Sequence, residues 1–245
     1  MENLENEHTY DNGFHPKEVH LKDNYKFYNR NIFFRLFSSA IIYLTAFFLL
    51  FIRKPLWGYK VVGKKNLKGI KGAITISNHV LQQDAFCTVP SMLPRKLYVT
   101  MLETNLGFPV VSQYLRIVGA VPIPRNPKLF VRFLKETKEI IQKGKFVHIY
   151  PEAALKPYCD HIRPFKSGAF HIAYQADAPI IPMVFTFHKP KGIYFYKHKP
   201  CIHLNILEPY YPDRSLTKKE ATLKMNEDLN KIMSDFFNKT SDFKF

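Results

Sequence analysis

The stretch Ala73-Ile74-Thr75-Ile76-Ser77-Asn78-His79-Val80-Leu81-Gln82-Gln83-Asp84 decides how this chain is read. Its first half is a short apolar, β-branched run suited to a buried strand, and the residues from Val80 to Phe86 are compatible with a helix. On one continuous helix His79 and Asp84 would point about 140° apart, because each residue turns about 100°. Placed on a strand exit and on the first turn of the following helix, the two side chains converge. A neutral imidazole takes a proton from an alcohol near neutral pH, and a carboxylate on its other nitrogen fixes the tautomer and stabilises the imidazolium that forms. Ten histidines and nine aspartates in 245 residues give about 0.4 pairs at this spacing by chance. Position in the fold therefore carries the argument, against the plain alternative of a surface histidine beside a helix-capping aspartate.

Outward from this stretch, strand and helix signals alternate. Strands are predicted at 58–63, 73–77, 97–101, 120–123, 146–150, 180–187 and 201–207. Helices are predicted from about 84, near 110–118, and over 127–143, 167–175 and 217–237. Pro127 opens the third of these helices and Gly144 closes it, the asymmetry helices favour. Residues 25–52 read as one or two helices. The pattern predicts an α/β fold, a single mostly parallel sheet flanked by helices, with an N-terminal membrane-associated helical segment. The expected division is a polar acidic tail at 1–24, a membrane-anchoring helical segment at 25–55 and an α/β domain at 56–245.

With 46% hydrophobic and 15% aromatic residues the chain is not intrinsically disordered, and 245 residues suffice for one sizeable core. Cys87, Cys159 and Cys201 lie far apart with no metal-ligand spacing, which argues for a reducing compartment and against a disulfide framework or a structural metal. The net charge of +16 is unevenly spread. Residues 1–23 hold six acids against Lys17 and Lys22, whereas 24–83 contain no acid and ten lysines and arginines. Within that basic stretch, residues 36–52 carry no charge. An uncharged block beside basic flanks predicts membrane association. It reads as a tilted span with Arg35 snorkelling, as a helix lying in the headgroup layer, or as a soluble core helix. A secretory signal fits poorly, because the block starts late and follows an acidic stretch. If the block spans, the basic load after Ile52 places the remainder in the cytoplasm, with the cell membrane as the expected location.

In parallel α/β sheets, functional groups collect beyond the carboxyl ends of strands. His79, Arg125 and Glu152 follow three predicted strands there. Asn78-His79 with Asp84, Gly119 to Arg125, Tyr150-Pro151-Glu152-Ala153-Ala154-Leu155, Phe165-Lys166-Ser167-Gly168-Ala169-Phe170 and Ala178-Pro179-Ile180-Ile181-Pro182 fall in order along the chain. In that order and spacing, over about 59–208, the chain resembles the glycerolipid acyltransferase family typified by 1-acylglycerol-3-phosphate acyltransferase. One departure stands out. Leu155 occupies the place where the family usually has an arginine that holds the acceptor's phosphate, so bidentate recognition is lost there.

The resemblance implies transfer of an acyl chain from acyl-CoA or acyl-carrier protein to a lysophospholipid at a membrane. His79 would act as general base and Asp84 would orient it. Arg125 would hold phosphate and Glu152 would shape the acceptor site, while Lys156, Arg163 or Lys166 would supply the charge missing at Leu155. Gly168 would permit close packing or backbone approach. No Cys or Ser nucleophile is needed, because a thioester is already activated, and no cofactor, metal or nucleic acid is expected. The plain alternatives are a surface cation at Arg125 and, at Glu152, a loop carboxylate paired with Lys156 or Arg163. His148 and His171 read as structural, and Ser77 and Cys87 as packing residues. For the whole chain the alternatives are a different lysolipid acceptor, or a basic protein that binds lipid or nucleic acid without catalysis.

Overall fold

The computed structural model describes residues 17–108 and 110–243; most of the expected acidic tail, residues 1–16, lies outside them. Seven strands form one sheet in the order β1-β7-β6-β2-β5-β3-β4. The strands are β1 Lys60–Val62, β2 Ala73–Ser77, β3 Leu97–Leu102, β4 Ala120–Ile123, β5 Phe146–Ile149, β6 Ile180–His188 and β7 Cys201–Ile206. All neighbours pair in parallel except β6 and β7, so β1 and β7 run against the other five. The predicted mostly parallel α/β architecture is therefore observed.

β2 lies in the middle of the sheet, buried along its whole length, with β5 on one side and β6 on the other. That burial fits a sequence of small and β-branched residues without a charge, Ala-Ile-Thr-Ile-Ser, since a strand covered on both faces has no solvent side to alternate toward. Full burial of Ile74 or Ile76 contributes on the order of 2 kcal/mol each. The pairing Thr75↔His148 and Ile76↔Ile149 ends β2 and β5 side by side, so the residues leaving them are neighbours.

Among the described residues six α-helices cover the sheet: α1 Ile32–Trp57, α2 Asp84–Ser91, α3 Val111–Val118, α4 Pro127–Gln142, α5 Gly168–Ala176 and α6 Lys218–Thr240. α1 packs on α2 and α3, whereas α5 packs on both α4 and α6, giving helices on both faces. Right-handed crossovers produce this split, because β2 to β3 and β4 to β5 step in opposite directions along the sheet. The chain enters α2, α4 and α5 from the carboxyl ends of strands, so their amino termini face that edge.

α1 corrects the expected segment 25–55 at both ends. Residues 25–30 are not helical, and Phe27 and Tyr28 are buried against Phe133 and Tyr98 in the core. Asn31 caps the helix, accepting from the Phe33 and Phe34 amides, and Gly58 closes it at φ 55°, a conformation that glycine takes without steric cost. Along α1 one stripe, Ser38, Ile42, Ala46 and Arg53, is buried against the domain. The remaining surface is apolar and bare, with Phe33, Leu36, Phe47, Phe48 and Phe51 all more than half exposed. Among the described residues this is the one helix long and apolar enough to cross a membrane.

Candidate active site

β2 stops at Ser77 because Asn78 turns its side chain across the sheet. Its amide nitrogen donates to the Phe185 carbonyl at 3.0 Å and its oxygen accepts from the Phe185 N–H at 2.8 Å. This two-point clamp fixes the backbone where the chain leaves the strand. His79 follows directly, and Asp84 begins α2.

The two side chains meet across that corner. His79 Nδ1 lies 2.8 Å from Asp84 Oδ2. The same oxygen accepts the Val80 N–H at 3.0 Å and the Leu81 N–H at 3.2 Å. One carboxylate oxygen thus holds both the imidazole and the turn that presents it, while Oδ1 is buried without a partner among the described residues. Burial pushes the Asp84 carboxyl above its ordinary value, opposed by the hydrogen bond and charge of His79 and by the two amides. With Nδ1–H donating to the carboxylate, the neutral ring carries its lone pair on Nε2. That nitrogen has no hydrogen-bond partner among the described residues, and the His79 side chain is 23% exposed beside a fully buried Asp84. The pair has the geometry of an oriented base with one nitrogen open to a substrate.

Tyr150, the residue that follows β5, supports the ring. Its ring stacks on His79 at 4.0 Å between centroids with 20° between planes. Burial holds its hydroxyl well above the ordinary range, so it is a neutral wall. Behind it lies His148, which touches Tyr150 edge-on at 4.5 Å. His148 is fully buried between the hydroxyls of Thr75 at 2.8 Å and Ser77 at 3.2 Å. Burial, helped by the neighbouring His79, lowers its pKa to about 3. His148 and Ser77 therefore interlock two central strands.

The register puts Glu152 beside His79, and its carboxylate is committed inward. Oε2 accepts the His79 backbone N–H at 3.2 Å, Arg163 Nε at 3.0 Å and an Arg163 terminal nitrogen at 2.6 Å, while Oε1 accepts the Arg163 N–H at 3.2 Å. Arg163 also donates to the Ala154 carbonyl. Arg163, one of the cations expected to offer charge to the acceptor, has Nε and one terminal nitrogen engaged by this buried carboxylate, which needs neutralisation. Glu152 takes the plain alternative, pairing with Arg163, and through its bond to His79 it also anchors the corner. The loop after β5 is stitched to the same corner, Lys156 N–H donating to the His79 carbonyl at 3.1 Å and Tyr158 N–H to the Val80 carbonyl at 2.9 Å.

The remaining expected residues lie along this edge at different distances. Lys156 and Lys166 are exposed, and the Lys166 amide donates to the Pro151 carbonyl. Arg125 is exposed just past β4, with its backbone N–H on Glu103 Oε2 at 2.7 Å. β4 is three strands from β2, which puts Arg125 about 14 Å from the corner by strand spacing alone. Gly168 opens α5, and a Cβ there would meet nothing within 4 Å. Close packing against the described residues therefore does not explain that glycine, which borders open space.

With this geometry in place, comparison with known proteins identifies the family. Residues 58–186, more than half of the chain, match the family model described as Acyltransferase. The chain belongs to the acyltransferase family. Within that family it is 30% identical over 168 residues to a 1-acyl-sn-glycerol-3-phosphate acyltransferase of Saccharomyces cerevisiae, covering 65% of this chain and 53% of the relative. It is 25% identical over 222 residues to the chloroplastic 1-acyl-sn-glycerol-3-phosphate acyltransferase BAT2 of Brassica napus, covering 87% and 60%. This acyltransferase-family chain thus spans about half the length of the curated relatives it matches. The crystal structure of the 1-acyl-sn-glycerophosphate acyltransferase PlsC from Thermotoga maritima shares its fold, with a TM-score of 0.54, 18% identity and coverage of 88% and 100%.

Proposed function

We propose that this chain is an O-acyltransferase that moves a fatty acyl group from acyl-CoA or acyl-carrier protein to the hydroxyl of a lysophospholipid, with 1-acyl-sn-glycerol-3-phosphate as acceptor and phosphatidic acid as product. The observation that carries the reading is the His79–Asp84 pair with Nε2 left open at the carboxyl edge of the sheet. The names of the relatives supply the acceptor. Nε2 takes the acceptor's hydroxyl proton as its oxygen attacks the thioester carbonyl. Asp84 stabilises the imidazolium formed. The tetrahedral intermediate then collapses, the C–S bond breaks, and the imidazolium returns its proton to the departing thiolate. No protein nucleophile or cofactor enters, because the thioester is already activated.

Arg125, Lys156 and Lys166 are the exposed cations assigned to the acceptor's phosphate, Arg163 being held by Glu152. A second reading keeps the chemistry and changes the lysolipid. Leu155 and the engaged Arg163 favour it, since both reduce the charge available for a phosphate monoester.

α1 is assigned to the membrane surface, with the α/β domain on the cytoplasmic side. Ser38 donates to the Ile117 carbonyl, Thr45 bonds the Tyr114 hydroxyl at 3.0 Å and Arg53 donates to the Phe86 carbonyl at 3.4 Å. These ties span about 22 Å of helix, which leaves it docked on the domain with its bare side outward.

An assay of the purified chain with a panel of lysolipids, each with acyl-CoA and acyl-carrier protein, tests the proposal. Thioester consumption that depends on a lysolipid is expected, and Arg125→Ala is expected to raise the acceptor KM about tenfold. Absence of transfer to every lysolipid from both donors would overturn it.

A further inference from the structure

Under the amino-terminal half of α1, at the edge of the sheet opposite the His79 corner, lies a cavity of about 290 Å³. Lys26 from the segment before α1, Arg35 from α1, Lys96 just before β3 and Arg116 near the end of α3 all line it, and its lining contains no Asp or Glu. Among the described residues none of the four has a carboxylate oxygen within 4.0 Å. The fold holds two of these cations with neutral partners. The Arg116 guanidinium sits 4.8 Å from the centre of the Tyr25 ring, and the Lys96 ammonium sits 5.5 Å from that of Tyr98 while donating to Ser38 Oγ at 2.6 Å. Rings and hydroxyls position a cation without cancelling its charge. Burial, with Arg35 and Lys145 nearby, lowers the Lys96 pKa to about 8. Mutual repulsion opposes this cluster and burial opposes the charge on Lys96, the one of the four that is not exposed; an anion in the cavity relieves both.

We propose that this cavity binds the phosphate of an anionic phospholipid headgroup taken from the membrane surface, at a site separate from the acyl-transfer corner. A volume near 290 Å³ suits a phosphate with its glycerol and is too small for acyl chains. Beside Arg35, the exposed Phe33, Leu36 and Phe37 of α1 form an apolar ledge on which the chains would lie. A free phosphate has no use for such a ledge, so the lipid is the occupant. The two sites are about 17 Å apart along β3, six residues long. The proposal rests on the membrane-surface reading of α1 and not on acyl transfer.

The experiment is thermal unfolding of the full chain with monomeric short-chain phosphatidylglycerol, short-chain phosphatidylcholine or inorganic phosphate. Phosphatidylglycerol should raise Tm, while phosphatidylcholine and equimolar phosphate should not. Arg35→Gln with Arg116→Gln should weaken the apparent affinity about tenfold, whereas Lys64→Gln with Lys65→Gln, on an exposed turn elsewhere, should leave it unchanged. Arg35→Gln alone, at an exposed position, guards against a double variant that fails to fold and should show part of the loss. Equal losses from the pocket and turn variants would overturn the proposal in favour of diffuse charge attraction. An equal shift from inorganic phosphate would overturn it in favour of a soluble-anion site, and no shift with phosphatidylglycerol would refute it outright. Retention of the shift in His79→Ala separates this site from the catalytic reading. Sedimentation with phosphatidylcholine vesicles tests the membrane reading of α1 by itself.

Discussion

The corner after β2 and the corner after β5 each bury a carboxylate, and they differ in the partner each one is given. Asp84 faces an imidazole, a titratable ring with one nitrogen left open. Glu152 faces a guanidinium, which stays charged at any pH the fold survives and is held at two of its nitrogens. The first pairing can accept and return a proton. The second can only hold position, and it does so for the first, through the His79 N–H. The same contrast separates two histidines one strand apart. His79 keeps partial exposure and a carboxylate, whereas His148 is sealed between hydroxyls that give its charged form no counter-ion.

Breaking the reactive corner should have the largest effect. His79→Ala is expected to lower kcat for acyl transfer by 10³-fold or more while the variant still unfolds in a single cooperative urea transition, with the midpoint lowered by the loss of the buried Asp84's partner. A purified variant with substantial turnover would remove His79 as base. Asp84→Asn should follow at about 10²- to 10³-fold, since the amide keeps an acceptor toward His79, Val80 and Leu81 but loses the charge that supports the imidazolium. Equal activity of Asn and Asp enzymes would reduce Asp84 to a scaffold residue.

The anchoring corner should answer in stability first. Glu152→Gln leaves the partly buried Arg163 without its counter-charge and is expected to cost about 2–3 kcal/mol, read from the urea midpoint. Adding Arg163→Met should recover part of that loss. If the double variant is no more stable than the single one, the pairing is not what anchors the loop.

At neutral pH the smallest effect is expected from the sealed histidine, whose consequence grows only as the pH falls. The pKa of His148 is lowered in the folded state, to about 3, so its neutral burial contributes stability fully above about pH 6.5 and progressively less as pH falls toward 3. The excess slope is at most about 1.4 kcal/mol per pH unit. His148→Gln should flatten the stability profile across that window. A wild-type slope that persists in the variant would assign the acid sensitivity elsewhere.

Much of this was legible in the chain itself. The β-branched run ending at Ser77, followed by polar Asn78 and a helix-compatible segment, specifies a strand-to-helix corner because local conformational preferences suffice there. The end of α4 was legible for the same reason, Gly144 taking a positive φ that the turn into β5 requires. Tyr150 was hidden because a tyrosine at a strand end reads as ordinary packing. The partner of Glu152 was visible only as one of two nearby cations, since choosing between Lys156 and Arg163 depends on the path of the loop. Residues 25–30 looked like the start of a membrane segment because aromatics in a basic stretch suit lipid and core alike.

The sequence by itself determined the alternation of strands and helices, the uncharged apolar character of α1 and the placing of His79 and Asp84 on either side of a turn, all consequences of near-neighbour chemistry. Only the tertiary structure decided that β7 runs antiparallel to β6, that one stripe of α1 docks along the domain, that Glu152 is bound inward by Arg163, and that four cations distant in sequence share one cavity. Those outcomes depend on long-range packing and on how buried charges are shared between elements, quantities that no local window of residues contains.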